Sequence, residues 1–391
     1  MDQPRARQPA APAAGPALMA LAFVPRPIAF LPWKALLIVV MIAAIGMVGL
    51  YSTRPGGGGG LMPYALPHAM RFSIFLVMAL AMSFVRPERY SEFVFVAYAG
   101  VIVLLFAVMV IGEVGGGARS WLNFGFIRIQ PSELMKPVLV IVLARFYAGV
   151  PPREVKRWSA IWPAVLLVGF PTLIILAQPD LGTAMLITCC TIVMMFLAGL
   201  SLWLFIGGLL TVGAAMPIVF SFLLMPHQRD RVLIFLNPES DPLGAGYHLT
   251  QSKIAIGSGG LFGKGFLNGT QASGDFLPEP HTDFIFAAIA EEWGLVGGLF
   301  LILLFALLLR WGMKVSRHAR SRFEKLAAAG MTATIFFYAA INLLMVMGLA
   351  PVVGIPLPLV SYGGSAMMTV MICFGVLMAI DRNTRKDERR R

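Results

Sequence analysis

The sequence predicts an all-α polytopic membrane protein: a bundle of about ten transmembrane helices with a large extracytoplasmic loop before the eighth. Two observations predict this fold class. Of the 391 residues, 58% are hydrophobic and only 13% are charged, whereas a soluble domain is about half apolar and about a quarter charged. Long apolar runs also recur along the chain, each close to the roughly 20 residues that a membrane-spanning helix needs. This composition excludes a soluble enzyme, a nucleic-acid-binding domain and a disordered protein.

The apolar runs define ten predicted spans and two flanking tails. Prolines crowd residues 1–32 and oppose a helix there, so that segment is predicted to be a flexible cytoplasmic tail. Residues 33–381 form the predicted transmembrane domain, with its large loop at 225–283, and residues 382–391 form a basic cytoplasmic tail. The run 181–224 is too long for one span and breaks at Gly199-Leu200-Ser201. The ten spans are 33–52, 69–85, 93–112, 133–149, 158–177, 181–200, 202–224, 284–310, 325–349 and 363–381.

The distribution of basic residues predicts the orientation. With both termini on one side, most of the 31 lysines and arginines fall on that side. The positive-inside rule then places both termini in the cytoplasm. The net charge of +12 is thus explained by cytoplasmic loops, without a nucleic-acid partner. Nine basic residues remain for the opposite face: Arg54, Arg71, Arg119, Arg128, Lys136, Arg229, Arg231, Lys253 and Lys264.

Most of these nine lie in the segments 113–136 and 225–283. A basic surface directly above a lipid-embedded bundle suits an anionic, lipid-linked substrate. The same cations could equally form ordinary salt bridges with the acidic residues of the loops. Charge alone leaves both interpretations open.

The fourth predicted span opens with Gln130-Pro131-Ser132-Glu133-Leu134-Met135-Lys136-Pro137. Glu133 and Lys136 are three residues apart and therefore share a helical face. An ionisable residue costs about 2.5–3.5 kcal/mol at full membrane depth and is seldom kept without a partner or a function. The pair is a candidate for catalysis, and a structural ion pair is a compatible alternative.

Two loop motifs are weaker signals. Asp180, in Gln178-Pro179-Asp180-Leu181-Gly182-Thr183, precedes the sixth span and is best explained as its N-cap. The glycine-rich stretch 256–265 lacks the residues of a Walker A loop or a dinucleotide fingerprint. Its glycines favour a tight re-entrant turn, in which Lys264 remains available to a diphosphate.

The strongest local feature is the segment 276–286, where the polar loop ends and the eighth span begins. Asp283 lies at this boundary beside an apolar flank, with Glu279 and His281 close in sequence. A carboxylate there is a plausible general base, since burial raises its pKa and nearby cations lower it. An N-cap role is the alternative, and His281 is more easily explained as structural. Glu291 and Glu292, two turns deeper, are expected to be buried acids or partners of a loop cation.

The junction before the last span, 348–365, contains three prolines and several glycines and cannot continue a helix. Irregular backbone at membrane depth is tolerated where it lines a cavity, so this segment, with Ser361, is predicted to form a cavity wall. The sequence contains none of the common metal-binding motifs or serine-nucleophile motifs.

Several long strings together resemble the SEDS family (shape, elongation, division and sporulation proteins). They are QPSELMKP, QPDLGTA, FLNPESDPLGAGYHLTQSKIAIGSGGLFGKGFLNGTQ, FLPEPHTDFIFA and GIPLPLVSYGG. The resemblance spans about residues 33–381, and GTQ at 269–271 with AEEWG at 290–294 is similar to the RodA elongation branch.

The resemblance implies a peptidoglycan glycosyltransferase of the bacterial inner membrane that polymerises lipid II beside a class B penicillin-binding protein. It implies that Asp283 is the essential aspartate, that Glu133 and Lys136 are catalytic, and that Arg119 binds substrate. A divalent cation, Mg or Mn, is expected to share the neutralisation of the diphosphate. The remaining candidate substrate-binding residues are Lys253, Lys264, Glu279, His281, Asp180 and Ser361.

Two other classes of function remain open. A lipid II transporter would need a polar path through the whole bundle, whereas the intramembrane charges gather near one face. A non-catalytic scaffold for the penicillin-binding protein would give no reason for an aspartate at an apolar edge beside cations.

Overall fold

The computed structural model is dominated by long helices. It describes residues 30–53, 64–115, 118–123, 125, 128–223, 226–237, 241, 244–274, 276–277 and 279–388. The predicted tail 1–32 therefore lies almost wholly outside the described residues, as do residues 389–391 of the predicted C-terminal tail.

Ten helices of 17 residues or more run through the described part of the chain, with three shorter ones between them. The helices are α1 Trp33–Ser52, α2 Leu66–Ser83, α3 Pro87–Ile111, α4 Pro131–Gly149, α5 Trp158–Ala177, α6 Leu181–Ala198, α7 Leu202–Ile218, α8 Pro226–Leu236, α9 Ala245–Ser258, α10 Thr270–Ser273, α11 Ile285–His318, α12 Arg322–Val346 and α13 Gly364–Glu388.

Nine of the described helices are long and apolar enough to cross a membrane. The tenth long helix, α4, lies outside that set and carries Glu133, Lys136 and Arg145 within 19 residues. The prediction of a polytopic helical membrane protein is confirmed, and most predicted spans match to within a few residues. Gly199 ends α6 at φ +112°, which is the predicted break in the run 181–224. The last helix continues to Glu388, beyond the predicted end at 381.

The predicted loops contain secondary structure that apolar periodicity does not signal. Strands β1 Glu113–Gly115, β2 Ala118–Asn123 and β3 Arg128–Ile129 form an antiparallel sheet in the order β1-β2-β3. The long loop 225–283 contains α8, α9 and α10. These elements, with the sheet, cap one end of the bundle, which we call the loop end.

The core of the bundle lies around α4, α12 and α13. In α12 and α13, 67% and 78% of the residues in the most apolar stretch are buried. The helix α7 contains no buried residue among those described, and its leucines and valines face outward, as expected for a helix surrounded by lipid. Two of the three core helices, α4 and α13, also line the cavity described below.

Helix α11 is kinked at Gly294, where φ is +68° and ψ is −165°. Residues 259–271, which we call the glycine strap, lie against this kink. The backbone N–H of Lys264 donates to the Glu291 carbonyl at 3.0 Å, and that of Leu295 donates to the Gly260 carbonyl at 2.9 Å. Gly263 has φ +82°, and a Cβ there would lie 2.0 Å from the Glu292 carbonyl oxygen. The predicted tight turn is thus confirmed, and it packs on the kinked helix.

Candidate active site

A cavity of about 570 Å³ lies at the loop end of the bundle. The first residues of α4 and α6, strand β2, the segment before α11 and the irregular stretch before α13 enclose it. That stretch contributes Val352, Val353 and Gly354, so the predicted cavity wall is confirmed. The charged residues of the lining are Glu133, Lys136, Asp180, Glu279 and Asp283. The cavity thus brings together half of the ten predicted site residues.

Asp283 lines the cavity just before α11 begins. The N-cap residue of that helix is Phe284, so Asp283 lies one residue before the N-cap position that the alternative gave it. The Nδ2 atom of Asn342 on α12 donates to the Asp283 carbonyl at 2.9 Å and to the Ile355 carbonyl at 2.7 Å. One buried amide therefore fixes the backbone of Asp283 relative to the cavity wall.

Glu133 and Lys136 form the predicted ion pair, with 2.6 Å between Lys136 Nζ and Glu133 Oε1. Both side chains are almost fully buried. Lys136 Nζ also donates to the hydroxyl of Tyr338 at 2.7 Å and lies 4.6 Å above the centre of its ring. The Tyr338 hydroxyl in turn donates to Glu133 Oε2. These three residues, which we call the buried triad, hold the ammonium group at the edge of the cavity.

Asp180 is the N-cap of α6, as predicted. Its Oδ1 accepts a hydrogen bond from the Thr183 backbone at 3.0 Å, and its Oδ2 accepts one from Gln130 Nε2 at 2.9 Å. Asp180 therefore ties the start of α6 to the start of α4 while it lines the cavity.

Glu279 and His281 form the rim beside Asp283. The Glu279 side chain is 63% exposed, and its Oε2 lies 3.4 Å from His281 Nε2. The His281 ring stacks on Tyr64, with 4.0 Å between ring centres. Burial lowers the pKa of His281, and the nearby Glu279 carboxylate partly offsets this effect. His281 thus acts mainly as a packing residue, as the sequence suggested, and Glu279 is the accessible carboxylate.

The other four predicted substrate-binding residues lie outside the cavity lining. Lys264 is 2.6 Å from Oε1 of the fully buried Glu291, and it thereby secures the glycine strap to α11. Lys253 packs against Gly348. Ser361 Oγ accepts the backbone N–H of Leu357 at 2.8 Å within the cavity wall. Arg119 is exposed on β2, although its neighbours Ser120 and Trp121 line the cavity.

Two residues at the site, Tyr338 and Asn342, were not predicted from the sequence. They lie four residues apart on α12 and are fully buried. The available signal was a pair of polar side chains spaced by one helical turn inside an apolar span. That spacing places both on one face, but it does not identify their partners.

The lining contains four carboxylates and a single lysine, which is already paired. No three His, Cys, Asp or Glu residues of the described chain lie close enough together to hold a metal ion. Mg²⁺ commonly binds through one or two carboxylates plus substrate phosphates, so the expected divalent cation stays a prediction.

The fold and the site define a class of protein: a multi-pass membrane protein with a carboxylate-lined cavity at one end of its helical bundle. The sequence pattern of the cell cycle protein family FtsW/RodA/SpoVE matches residues 32–386, and the chain belongs to this family. The resemblance to SEDS proteins is therefore confirmed.

Individual relatives agree with this assignment. The chain is 47% identical to the peptidoglycan glycosyltransferase MrdB of Escherichia coli K12, over 78% of this chain and 82% of that protein. It is 32% identical to the peptidoglycan glycosyltransferase RodA of Treponema pallidum, over 88% and 96% of the two chains. It is 34% identical to stage V sporulation protein E of Bacillus subtilis, over 89% and 96%.

Two solved structures share the fold. One is a chain of a peptidoglycan synthase complex, described as coordinating polymerization and crosslinking, with a TM-score of 0.79 and 30% identity; the match covers 91% of this chain and 99% of that chain. The other is the rod shape determining protein RodA of Thermus thermophilus, with a TM-score of 0.68 and 27% identity over 90% and 97% of the two chains.

Proposed function

We propose that this protein is a peptidoglycan glycosyltransferase that polymerises lipid II into glycan strands during cell elongation, with Asp283 as the general base. One observation carries the assignment of the base. Asp283 is a carboxylate that lines the cavity and does not serve as the N-cap of the helix that follows it. The names of the relatives support the reaction class.

The reaction is glycosyl transfer with inversion. Asp283 accepts the proton of the 4-hydroxyl on the acceptor sugar as that oxygen attacks C1 of the donor sugar. The new oxygen–C1 bond forms while the bond from C1 to the diphosphate oxygen breaks, and the undecaprenyl diphosphate leaves with the bonding electrons. A positioned general base typically contributes about 10²–10⁴-fold in rate.

Lys136 supports the departure of the diphosphate. Its ammonium group lies at the cavity edge, where a fixed cation stabilises developing negative charge without reorganisation. Glu133 and Tyr338 hold the lysine in one position, since each bonds to it and to the other. Glu133 is thus a positioning residue for Lys136.

A divalent cation, Mg or Mn, would neutralise the diphosphate further. Glu279 is suited to hold it, since its side chain is 63% exposed at the cavity rim and carboxylates with phosphates are the usual ligands of such ions. Asp283 provides the proton transfer and Lys136 provides the cationic contact, and neither contribution depends on the divalent cation.

The proposal includes a location and a partner. Both termini are cytoplasmic, and the loop end faces the extracytoplasmic side of the bacterial inner membrane, so the polyprenyl tails of the substrates enter laterally from the lipid. A class B penicillin-binding protein crosslinks the strands that this protein polymerises. The relative in the solved synthase complex, which is described as coordinating these two reactions, supports the pairing.

The test is polymerisation by purified protein with its cognate penicillin-binding protein, labelled lipid II and Mg²⁺. We expect glycan polymer from the wild type and at least a 100-fold lower rate from Asp283→Asn, because asparagine keeps the size of the side chain and lacks a basic oxygen. Asp230→Asn is the matched control, since Asp230 is exposed at the same end of the bundle, and it should retain the wild-type rate.

Each alternative has its own outcome. Polymer from a folded Asp283→Asn variant at the wild-type rate would remove Asp283 from catalysis. Movement of lipid II across liposomes by a wild type that makes no polymer would favour the transporter. A wild type that neither polymerises nor transports lipid II, but stimulates the penicillin-binding protein normally, would be a scaffold.

A further inference from the structure

A second cavity of about 800 Å³ adjoins the cavity that contains Asp283. Four residues line both of them: Trp121, Tyr362, Gly363 and Ser365. The second cavity is bounded by α2, by the strands at the loop end and by the first turns of α13. Its volume lies within the range of sites that hold drug-sized ligands.

The second cavity is lined by more basic than acidic side chains, whereas the first is lined mainly by acidic ones. Its charged lining residues are Arg71, Arg128 and Glu113. Glu113 is paired with Arg128 at 2.7 Å, and the hydrogen bond from Asn123, followed by this pair, lowers the pKa of Glu113. Arg71 takes part in none of the salt bridges found among the described residues. One arginine charge therefore remains for a ligand of the cavity.

Arg71 is also held in a defined position. Its guanidinium carbon lies 4.6 Å above the centre of the Tyr362 ring, on the wall that the two cavities share. A guanidinium held over an aromatic ring through its carbon can still donate its N–H groups to a phosphate in bidentate fashion. Arg71 belongs to the membrane-spanning helix α2 and is half-buried. An ionisable residue within a membrane span is by default a functional-site hypothesis.

From this arrangement we infer that the second cavity binds the diphosphate of the acceptor lipid II through Arg71, while the first cavity holds the reacting end of the donor. The inference rests on the proposed function and specifies its substrate sites. The hydroxyl that Asp283 deprotonates is on the sugar farther from the acceptor's own diphosphate. That diphosphate must therefore be anchored one disaccharide away from Asp283, and the adjoining cavity supplies a cation, Arg71, outside the cavity that contains Asp283.

The test separates the two substrates. A lipid II analogue with a blocked 4-hydroxyl acts only as donor, and an analogue with a non-cleavable methylene in place of the C1 oxygen acts only as acceptor. Their single coupling product is measured while one analogue is varied. We expect Arg71→Gln to raise KM for the acceptor at least tenfold and to change KM for the donor and kcat by less than threefold. Arg71→Lys, which keeps the charge, should restore part of the acceptor affinity.

The control is Arg89→Gln, which removes an exposed arginine near the opposite end of the bundle and should leave both KM values unchanged. An equal rise of both KM values, or a rise for the donor alone, would overturn the assignment. Loss of kcat alone in a monodisperse Arg71→Gln protein would also overturn it. A wild type that forms no coupling product would instead count against the proposed function itself.

A further experiment tests whether the second cavity binds lipid II or an ordinary phospholipid headgroup, which carries the same phosphate chemistry. The acceptor KM of the wild type is measured in micelles with phosphatidylglycerol or with phosphatidylcholine. We expect similar values in both. If phosphatidylglycerol abolishes the difference between the wild type and Arg71→Gln, the cavity is a headgroup site and the acceptor assignment is wrong.

Discussion

At the residue scale, the buried triad shows how a membrane protein provides partners for a lysine and a glutamate away from water. Lys136 and Glu133 are 3% and 5% exposed, so each charge depends on the other for compensation. The Tyr338 hydroxyl accepts a hydrogen bond from Lys136 and donates one to Glu133. The ion pair is therefore structural, and it also lines the cavity, where we propose that Lys136 acts in catalysis.

The triad predicts different effects of single and double substitutions. Lys136→Met leaves a buried carboxylate uncompensated, which typically costs about 3–5 kcal/mol, so we expect a clearly lower midpoint of thermal unfolding and loss of polymerisation. Glu133→Gln combined with Lys136→Met removes both charges. This double variant should regain much of the lost thermal stability, as measured in detergent, but no activity.

The double variant is the informative one. Activity that returned together with stability would show that Lys136 serves the fold only, and would remove it from the stabilisation of the leaving group. A double variant as unstable as Lys136→Met would contradict the charge-compensation argument.

At the scale of elements, α12 connects Asp283, the proposed base, with Lys136. Tyr338 contacts the ion pair on α4, and Asn342, one turn further, holds the backbone of Asp283 and the cavity wall. Helix α12 thus sets the separation of two groups that come from distant parts of the sequence.

This role predicts that Asn342→Leu impairs turnover more than substrate binding. The change removes the Asn342 donor from two carbonyl groups, and the loss of such a bond at a buried group costs about 1–3 kcal/mol. A shift of Asp283 by about 1 Å can cost about 10²-fold in rate. We expect kcat to fall 10- to 100-fold with KM for lipid II nearly unchanged. Asn383→Leu, on α13 at the opposite end of the bundle, is the control and should stay near the wild-type kcat.

The glycine strap gives a second prediction for an element. Gly263→Ala places a Cβ in a residue with φ +82° and against the Glu292 carbonyl oxygen, so the strap must move off the kink of α11. We expect a loss of more than about 1 kcal/mol of stability. Gly257→Ala is the matched control: Gly257 lies in α9 with open space around its Cα, and alanine is favoured there by about 1 kcal/mol. Equal midpoints of thermal unfolding for the two variants would contradict the packing described here.

At the scale of the whole molecule, the charges predict which face of the membrane the site occupies. Asp230→Cys lies at the loop end and Arg317→Cys near the end of α11, and both positions are exposed. In spheroplasts, a membrane-impermeant maleimide should label Asp230→Cys and spare Arg317→Cys until the cells are permeabilised. The native Cys190 and Cys373 are buried and Cys189 is only partly exposed, so the wild type gives the background. The reverse labelling pattern would invert the proposed topology.

The sequence by itself determined the fold class, most span boundaries, the family and the residues that bear charge near one face. These features follow from local properties: apolar run length, helix-breaking residues, charge counts and contiguous motifs. The ion pair of Glu133 and Lys136 and the N-cap Asp180 belong to the same group, because their partners lie three residues away.

Only the tertiary structure decided which charged residues share a cavity. Lys264 and Lys253 are loop lysines like any other in the sequence, but the fold pairs the first with Glu291 and packs the second on Gly348. It brings Asn342 to Asp283 across 59 residues and Tyr338 to Glu133 across 205. The physical reason is that a buried polar group must find a partner wherever packing provides one, and packing between distant helices leaves no local pattern in the chain.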